Sequence, residues 1–196
     1  MRTTAERARS WSLFLVCGLL LAAGAGTSAQ AAAGQKAPRL APKGAGPVPA
    51  AVAPLEGKSG TQSGGDAEFS QEEGKVTLRL LVKNAPRGSH AVHIHEKGDC
   101  SDPEAKSAGA HWNPGGAEHG KWGDTCHLGD IGNIDVDERG EGILLLTTDL
   151  WTIGGDPASD ILGKSVIVHA QPDDFKTQPT GNAGGRIACG VIQKKN

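Results

Sequence analysis

Nothing in this 196-residue chain is apolar over the roughly 20 residues that a membrane-crossing helix requires. The longest apolar run, Leu13 to Ala23, falls short of that length. An excess of basic charge is also missing: 20 Lys and Arg stand against 22 Asp and Glu, a formal net charge of −2. That balance gives no electrostatic ground for a nucleic-acid or anionic-membrane partner. Helical periodicity of useful length is absent, which argues against a helical bundle. Sulfur is scarce, with only four cysteines at positions 17, 100, 126 and 189.

What is present divides into three stretches. Residues 1–29 carry Arg2, Arg7 and Arg9, then the apolar run, then small residues ending in Thr27-Ser28-Ala29, the pattern of a secretory signal peptide. Its removal makes the remainder more acidic and leaves a mature chain with no transmembrane segment. Cys17 is a candidate lipid anchor, disfavoured because Val16 before it is larger than the Gly, Ala or Ser usual there. Export to a periplasmic or extracellular space places Cys100, Cys126 and Cys189 in an oxidising compartment. One disulfide and one leftover thiol are expected. Residues 30–65, rich in Ala, Pro, Gly, Lys and Ser, read as a flexible tether. Residues 66–196 are then the folded domain, of ordinary size for a single core.

Within that domain Val76, Leu78, Leu80 and Val82 alternate with Thr77 and Arg79. With Glu68 to Ser70 they bracket a turn at Glu72-Glu73-Gly74, which predicts a hairpin. Further short apolar runs at 91–95, 131–136, 143–150, 165–169 and 186–192 are separated by Gly or Pro, so an all-β sandwich or barrel is expected. Two connections stand out as long, 96–129 and 170–185. Long structureless loops are uncommon in a compact domain unless they carry function.

All seven histidines lie between His90 and His169. His93 and His95 are two residues apart in a strand and share a face, so both imidazoles can reach one ion. His111, His119, His127 and Asp130 occupy the first long connection and its end, and His169 closes a second apolar strand. Any one histidine alone reads more safely as a core or surface residue; the whole pattern does not. The spacing argues for two neighbouring ions of an imidazole-preferring kind, and the donor set suits copper or zinc without choosing between them. His90 shares parity with Val92 and Ile94, so it should face the core and brace the strand.

Several motifs extend the pattern: His90-Ala91-Val92-His93-Ile94-His95-Glu96-Lys97-Gly98-Asp99-Cys100, His111-Trp112-Asn113-Pro114, His119-Gly120 and His127-Leu128-Gly129-Asp130-Ile131-Gly132-Asn133. Val168-His169-Ala170 and Gly181-Asn182-Ala183-Gly184-Gly185-Arg186-Ile187-Ala188-Cys189-Gly190-Val191-Ile192 complete it. From about Asp66 to Ile192 the chain resembles the copper/zinc superoxide dismutases, especially their exported bacterial type.

The resemblance implies a Greek-key β-sandwich or flattened barrel, immunoglobulin-like, with two long functional loops. It implies one copper and one zinc per subunit. Copper would be held by His93, His95, His111 and His169, and zinc by His111, His119, His127 and Asp130, with His111 bridging both. Asp173 matches a carboxylate that hydrogen-bonds ligand imidazoles of both sites, and Arg186 an arginine beside the open copper position. Cys100 and Cys189 match a disulfide that would pin the ligand loop near Arg186. The implied activity is dismutation of the superoxide anion to dioxygen and hydrogen peroxide, with His111 and Arg186 in catalytic roles. The alternative is a non-catalytic periplasmic copper/zinc-binding protein on the same fold. A zinc hydrolase would need a vacant zinc position, which three His and one Asp do not leave. Cys126 beside His127 and Trp112 in place of a more common Phe depart from the family pattern. Exported members differ in assembly, so monomer and homodimer both stay open.

Overall fold

A computed structural model describes residues 50–195. The expected signal peptide, Cys17 and the expected tether up to residue 49 lie outside the described residues. Among these, nine strands and one short 3-10 turn make up the regular structure, and no helix is long and apolar enough to cross a membrane. The strands are β1 (Ala51–Gly57), β2 (Gly64–Glu72), β3 (Lys75–Lys83), β4 (Gly88–His95), β5 (Asp130–Val136), β6 (Gly142–Thr148), β7 (Ser165–His169), β8 (Arg186–Val191) and β9 (Gln193–Lys194). Their order across the sheet is β5-β4-β7-β8-β1-β2-β3-β6, with β9 added to β1. All named pairs are antiparallel. The terminal strands β5 and β6 are joined by the tight turn around Asp137–Glu141, so the sheet curls into a nearly closed barrel.

The β2–β3 hairpin forms where the alternation predicts it. Glu72 pairs with Lys75 across a two-residue turn, and both turn residues, Glu73 and Gly74, have positive φ (48° and 78°). That geometry matches the right-handed twist of the flanking strands, and glycine in the second place adopts it without strain. Val76, Leu78, Leu80 and Val82 point inward and are fully buried, as are Phe69, Ile94, Val166 and Val168 from the other strands. Burial of each such side chain contributes roughly 1.5–3 kcal/mol relative to exposure.

One expected boundary moves. The tether read over 30–65 ends earlier, because residues 51–57 form β1, which pairs with β2, β8 and β9. Ala51, Ala53 and Leu55 alternate inward and are buried. Two alanines carry too little apolar area to announce a strand, and Pro54 reads as a breaker. A third long connection, 149–164, joins the two expected ones. It is anchored by Trp151, fully buried, edge-on to Phe69 and Trp122, with its indole N–H donating to Leu128 O at 2.9 Å.

Candidate metal centre

Four of the seven candidate ligands stand on β4, β5 and β7. His93 and His95 lie on β4, Asp130 opens β5 and His169 closes β7. Pairing slips at two places, Val92/His93 against β5 and Val168/His169 against β8. Irregularities of this kind re-aim side chains, and here each falls on a histidine. The first long connection is tied back at both ends: Trp112 N–H donates to Ile94 O, Ile94 N–H to Gly129 O and Gly129 N–H to Trp112 O, all at 2.8–2.9 Å. This knot sets His111 beside His95 and starts β5 directly after His127.

Two groups of four result. His93, His95, His111 and His169 each bring one ring nitrogen within 4.8 Å of the others, and so do His111, His119, His127 and Asp130 with one ligand atom apiece. All seven residues are buried, and His111 belongs to both groups. In the first group the converging atoms, His93 Nδ1, His95 Nε2, His111 Nε2 and His169 Nε2, have no hydrogen-bond partner among the described residues. Buried polar atoms are rarely left unpaired in this way, so four together fit a shared cation.

The opposite ring nitrogens are held. His95 Nδ1 donates to Gly109 O at 2.9 Å and His169 Nδ1 to Gly184 O at 3.3 Å. His93 Nε2 donates to Asp173 Oδ2 at 2.8 Å. Because carbonyl and carboxylate oxygens only accept, these contacts leave a lone pair on each inward nitrogen. Burial, followed by neighbouring imidazoles, holds His93 well below the usual histidine range. Burial does the same to His95, and it pushes His169 down to about 3. The rings are therefore neutral, the form that binds a metal.

The second group is organised around a carboxylate. Asp130 Oδ1 lies 2.9 Å from His111 Nδ1 and 3.2 Å from His127 Nδ1, and Oδ2 lies 3.0 Å from His119 Nδ1. Burial alone would raise the Asp130 carboxyl, but hydrogen bonds from His111 and from Gly120 N–H, with the nearby imidazoles, bring it below the usual range. Burial also lowers His127. Three Nδ1 atoms and one carboxylate form a closed four-ligand set of the kind that suits structural zinc, and four imidazoles suit a copper that changes oxidation state. Both groups fit the metals that the sequence pattern implies.

Asp173 is buried between the groups, with Oδ2 on His93 and Oδ1 2.9 Å from His119 Nε2. Asn133, which ends the His127 motif without an expected role, grips the Asp173 main chain at both ends: Asp173 N–H donates to Asn133 Oδ1 at 2.7 Å and Asn133 Nδ2 to Asp173 O at 3.0 Å. Gly181 closes over this junction at φ +65°, where an added Cβ would stand 1.9 Å from Asp173 Oδ1 and 2.6 Å from His119 Nε2. No other residue fits. His90 stays outside both groups; its ring nitrogens lie 2.8 Å from His169 O and Pro86 O, which braces β4 against β7.

Arg186 pairs with His169 across β7–β8 and is half-buried. Its guanidinium donates to Ala105 O at 2.6 Å and Gly109 O at 2.7 Å. Gly109 O thus accepts from both Arg186 and His95, which joins the arginine to a ligand through one atom. Cys100 and Cys189 are disulfide-bonded and pack with Ala105, Ala108 and Ile167, beneath the segment that holds Arg186. Ser59, placed in the tether by sequence, bonds Arg186 O through its hydroxyl at 2.8 Å and Pro103 O through its N–H at 2.8 Å. Arg186 opens onto a surface cavity lined also by Ser59, Glu104, Lys106, Gly184 and Gly185. Cys126 is a half-buried free thiol that belongs to neither ligand group, and burial pushes its thiol up. Trp112 is buried in the core with Lys164 Nζ 4.7 Å from its ring centroid.

Comparison with known proteins places this geometry in a family. Residues 63–192 match the family model for copper/zinc superoxide dismutase. A superoxide dismutase [Cu-Zn] of Caulobacter vibrioides is 45% identical over 124 residues, covering 60% of this chain and 71% of that protein. Superoxide dismutase [Cu-Zn] 2 of Aquifex aeolicus is 37% identical over 134 residues, covering 66% and 78% respectively. An extracellular superoxide dismutase [Cu-Zn] of Caenorhabditis elegans is 36% identical over 143 residues, covering 69% and 63%. The crystal structure of the clock protein EA4 superposes with a TM-score of 0.66 at 35% identity, covering 78% of this chain and 99% of that one. With a matched segment that spans most of its length and contains both ligand groups, the chain belongs to the copper/zinc superoxide dismutase family.

Proposed function

We propose that this protein dismutates superoxide to dioxygen and hydrogen peroxide, with copper held by His93, His95, His111 and His169 and zinc by His111, His119, His127 and Asp130. The observation that carries this reading is the double membership of His111, whose Nε2 faces the all-imidazole group while its Nδ1 faces Asp130. Copper, when bound, supplies the one-electron couple that takes an electron from one superoxide and returns it to a second.

The chain's residues do the rest. His111 Nε2 is the atom that takes up a proton and passes it to the departing peroxide; the second proton comes from solvent. Zinc, when bound, would be held by Nδ1 of the same ring together with His119, His127 and Asp130, so the orientation of His111 would survive the cycle. Asp173 fixes His93 and His119 together, which keeps the two groups in register. Arg186 offers a positive, fork-shaped donor beside His169, suited to a small anion. Because the chain is net negative, capture of an anion depends on this local field rather than on bulk attraction. The Cys100–Cys189 bridge holds the carbonyls that aim the arginine. The pattern of residues 1–29, basic, then apolar, then small, supports export, to the periplasm or beyond.

Superoxide consumption by the copper-and-zinc-loaded protein, compared with zinc-only protein, tests the assignment. Turnover that requires copper is expected. Tight binding of both metals without turnover would identify a metal-binding protein instead.

A further inference from the structure

Gln178 lies in the second long connection, 59 residues from His119 in the first. Its side-chain amide meets both main-chain groups of His119: His119 N–H donates to Gln178 Oε1 at 2.9 Å, and Gln178 Nε2 donates to His119 O at 2.8 Å. The amide thus acts as a missing strand partner for a residue that has none, since residues 113–121 form no strand. His119 itself is only 4% exposed, whereas Gln178 sits at the surface and grips it from outside. The turn that presents Gln178 is preorganised: Asp174 Oδ1 accepts from Lys176 N–H and Thr177 N–H, and Gly181 N–H donates to Thr177 O.

The His119 ring is held at Nε2 by Asp173, while its Nδ1 faces Asp130 Oδ2 at 3.0 Å without a hydrogen bond, as a metal ligand would. Its own main-chain N–H and C=O are both held by the amide of Gln178. Asp130 fastens its other neighbours locally, through His127 N–H and Gly120 N–H. His119 is therefore the member of the second group whose backbone depends on the other loop.

We infer that Gln178 is a positioning residue for zinc: a surface latch that joins the two long loops at His119 and slows zinc release more than copper release, which it reaches only through Asp173. This rests on the assignment of zinc to His111, His119, His127 and Asp130. Outer partners of metal ligands commonly change affinity or activity about 10–100-fold when removed.

The test uses the full protein loaded with both metals, with release of each followed by a chromophoric chelator. Gln178→Ala should lose zinc about tenfold faster than the parent, with copper release accelerated far less. Gln178→Glu keeps an acceptor for His119 N–H but turns an oxygen toward His119 O, so it should fall with the alanine variant. Cobalt(II) placed at the zinc site should show altered visible bands in both variants. Unchanged zinc release in both variants would overturn the latch, and so would equal acceleration of zinc and copper. A parent protein that retains copper but takes up no zinc or cobalt would instead overturn the zinc assignment beneath it.

Discussion

The two halves of the barrel are built to different standards of regularity. In the half made by β1, β2, β3 and β6, pairing runs without a slip, nine pairs from Gly64↔Lys83 to Glu72↔Lys75 and seven from Val76↔Thr148 to Val82↔Gly142. In the half made by β4, β5, β7 and β8, pairing slips at His93 and at His169. The regular half spends its inward positions on aliphatic side chains. The irregular half turns histidines into a buried cluster whose inward-facing ring nitrogens have no hydrogen-bond partner among the described residues. One half stabilises the fold and the other places a reactive centre on it, and the same antiparallel sheet serves both.

The sharpest way to break this division is a pair of substitutions, one in each half. Leu80→Ala removes a fully buried side chain of the regular half and should cost about 2–5 kcal/mol of unfolding free energy, read by denaturant titration, while the copper content of folded protein holds. His95→Ala should abolish dismutation and copper retention with little loss of stability in the metal-free protein, since it removes a buried ring whose Nε2 is unpaired. A swap of these two outcomes would contradict the division.

A smaller effect separates chemistry from capture within the irregular half. Arg186→Glu should reduce activity about tenfold or more while copper content changes little, and the parent rate should fall as ionic strength rises. Equal losses of copper and activity would remove Arg186 from anion capture and leave it a structural cross-link.

The smallest effect concerns acid. The folded-state value for His169 is about 3 against an ordinary 6.5, so between those pH values the unfolded chain binds a proton that the folded chain refuses. Stability of the metal-free protein should therefore be fully present above pH 6.5 and decline as pH falls toward about 3. Lowered His93, His95 and His127 act in the same direction. Thermal unfolding of metal-free protein across that window checks the sign; stabilisation on acidification would contradict the buried, neutral cluster.

Much of this was legible from the chain. The β2–β3 hairpin announced itself because large aliphatics alternate around a turn that accepts positive φ. The bounds of the two long loops were readable because apolar runs end at His95 and His169 and resume at Asp130 and Arg186. Histidines and a carboxylate are chemically distinctive, so their clustering survives as a signal in one dimension. β1 was hidden by Ala51, Ala53 and Pro54, and the 149–164 connection because Trp151 and Ile161 look like strand residues rather than loop anchors. The contacts of Ser59, Asn133 and Gln178 were invisible for a different reason. Hydroxyls and amides are ordinary in loops, and their partners lie 127, 40 and 59 residues away. Only the folded chain brings them to Arg186, Asp173 and His119.

The shared imidazole of His111 is the point on which the account turns. X-ray anomalous scattering from crystals loaded with both metals, recorded on either side of the copper and zinc edges, tests it most directly. The account predicts one copper peak among His93, His95, His111 and His169 and one zinc peak among His111, His119, His127 and Asp130, with the His111 ring between them. Copper and zinc peaks with His111 bound to only one of them, or both metals at a single position, would contradict it.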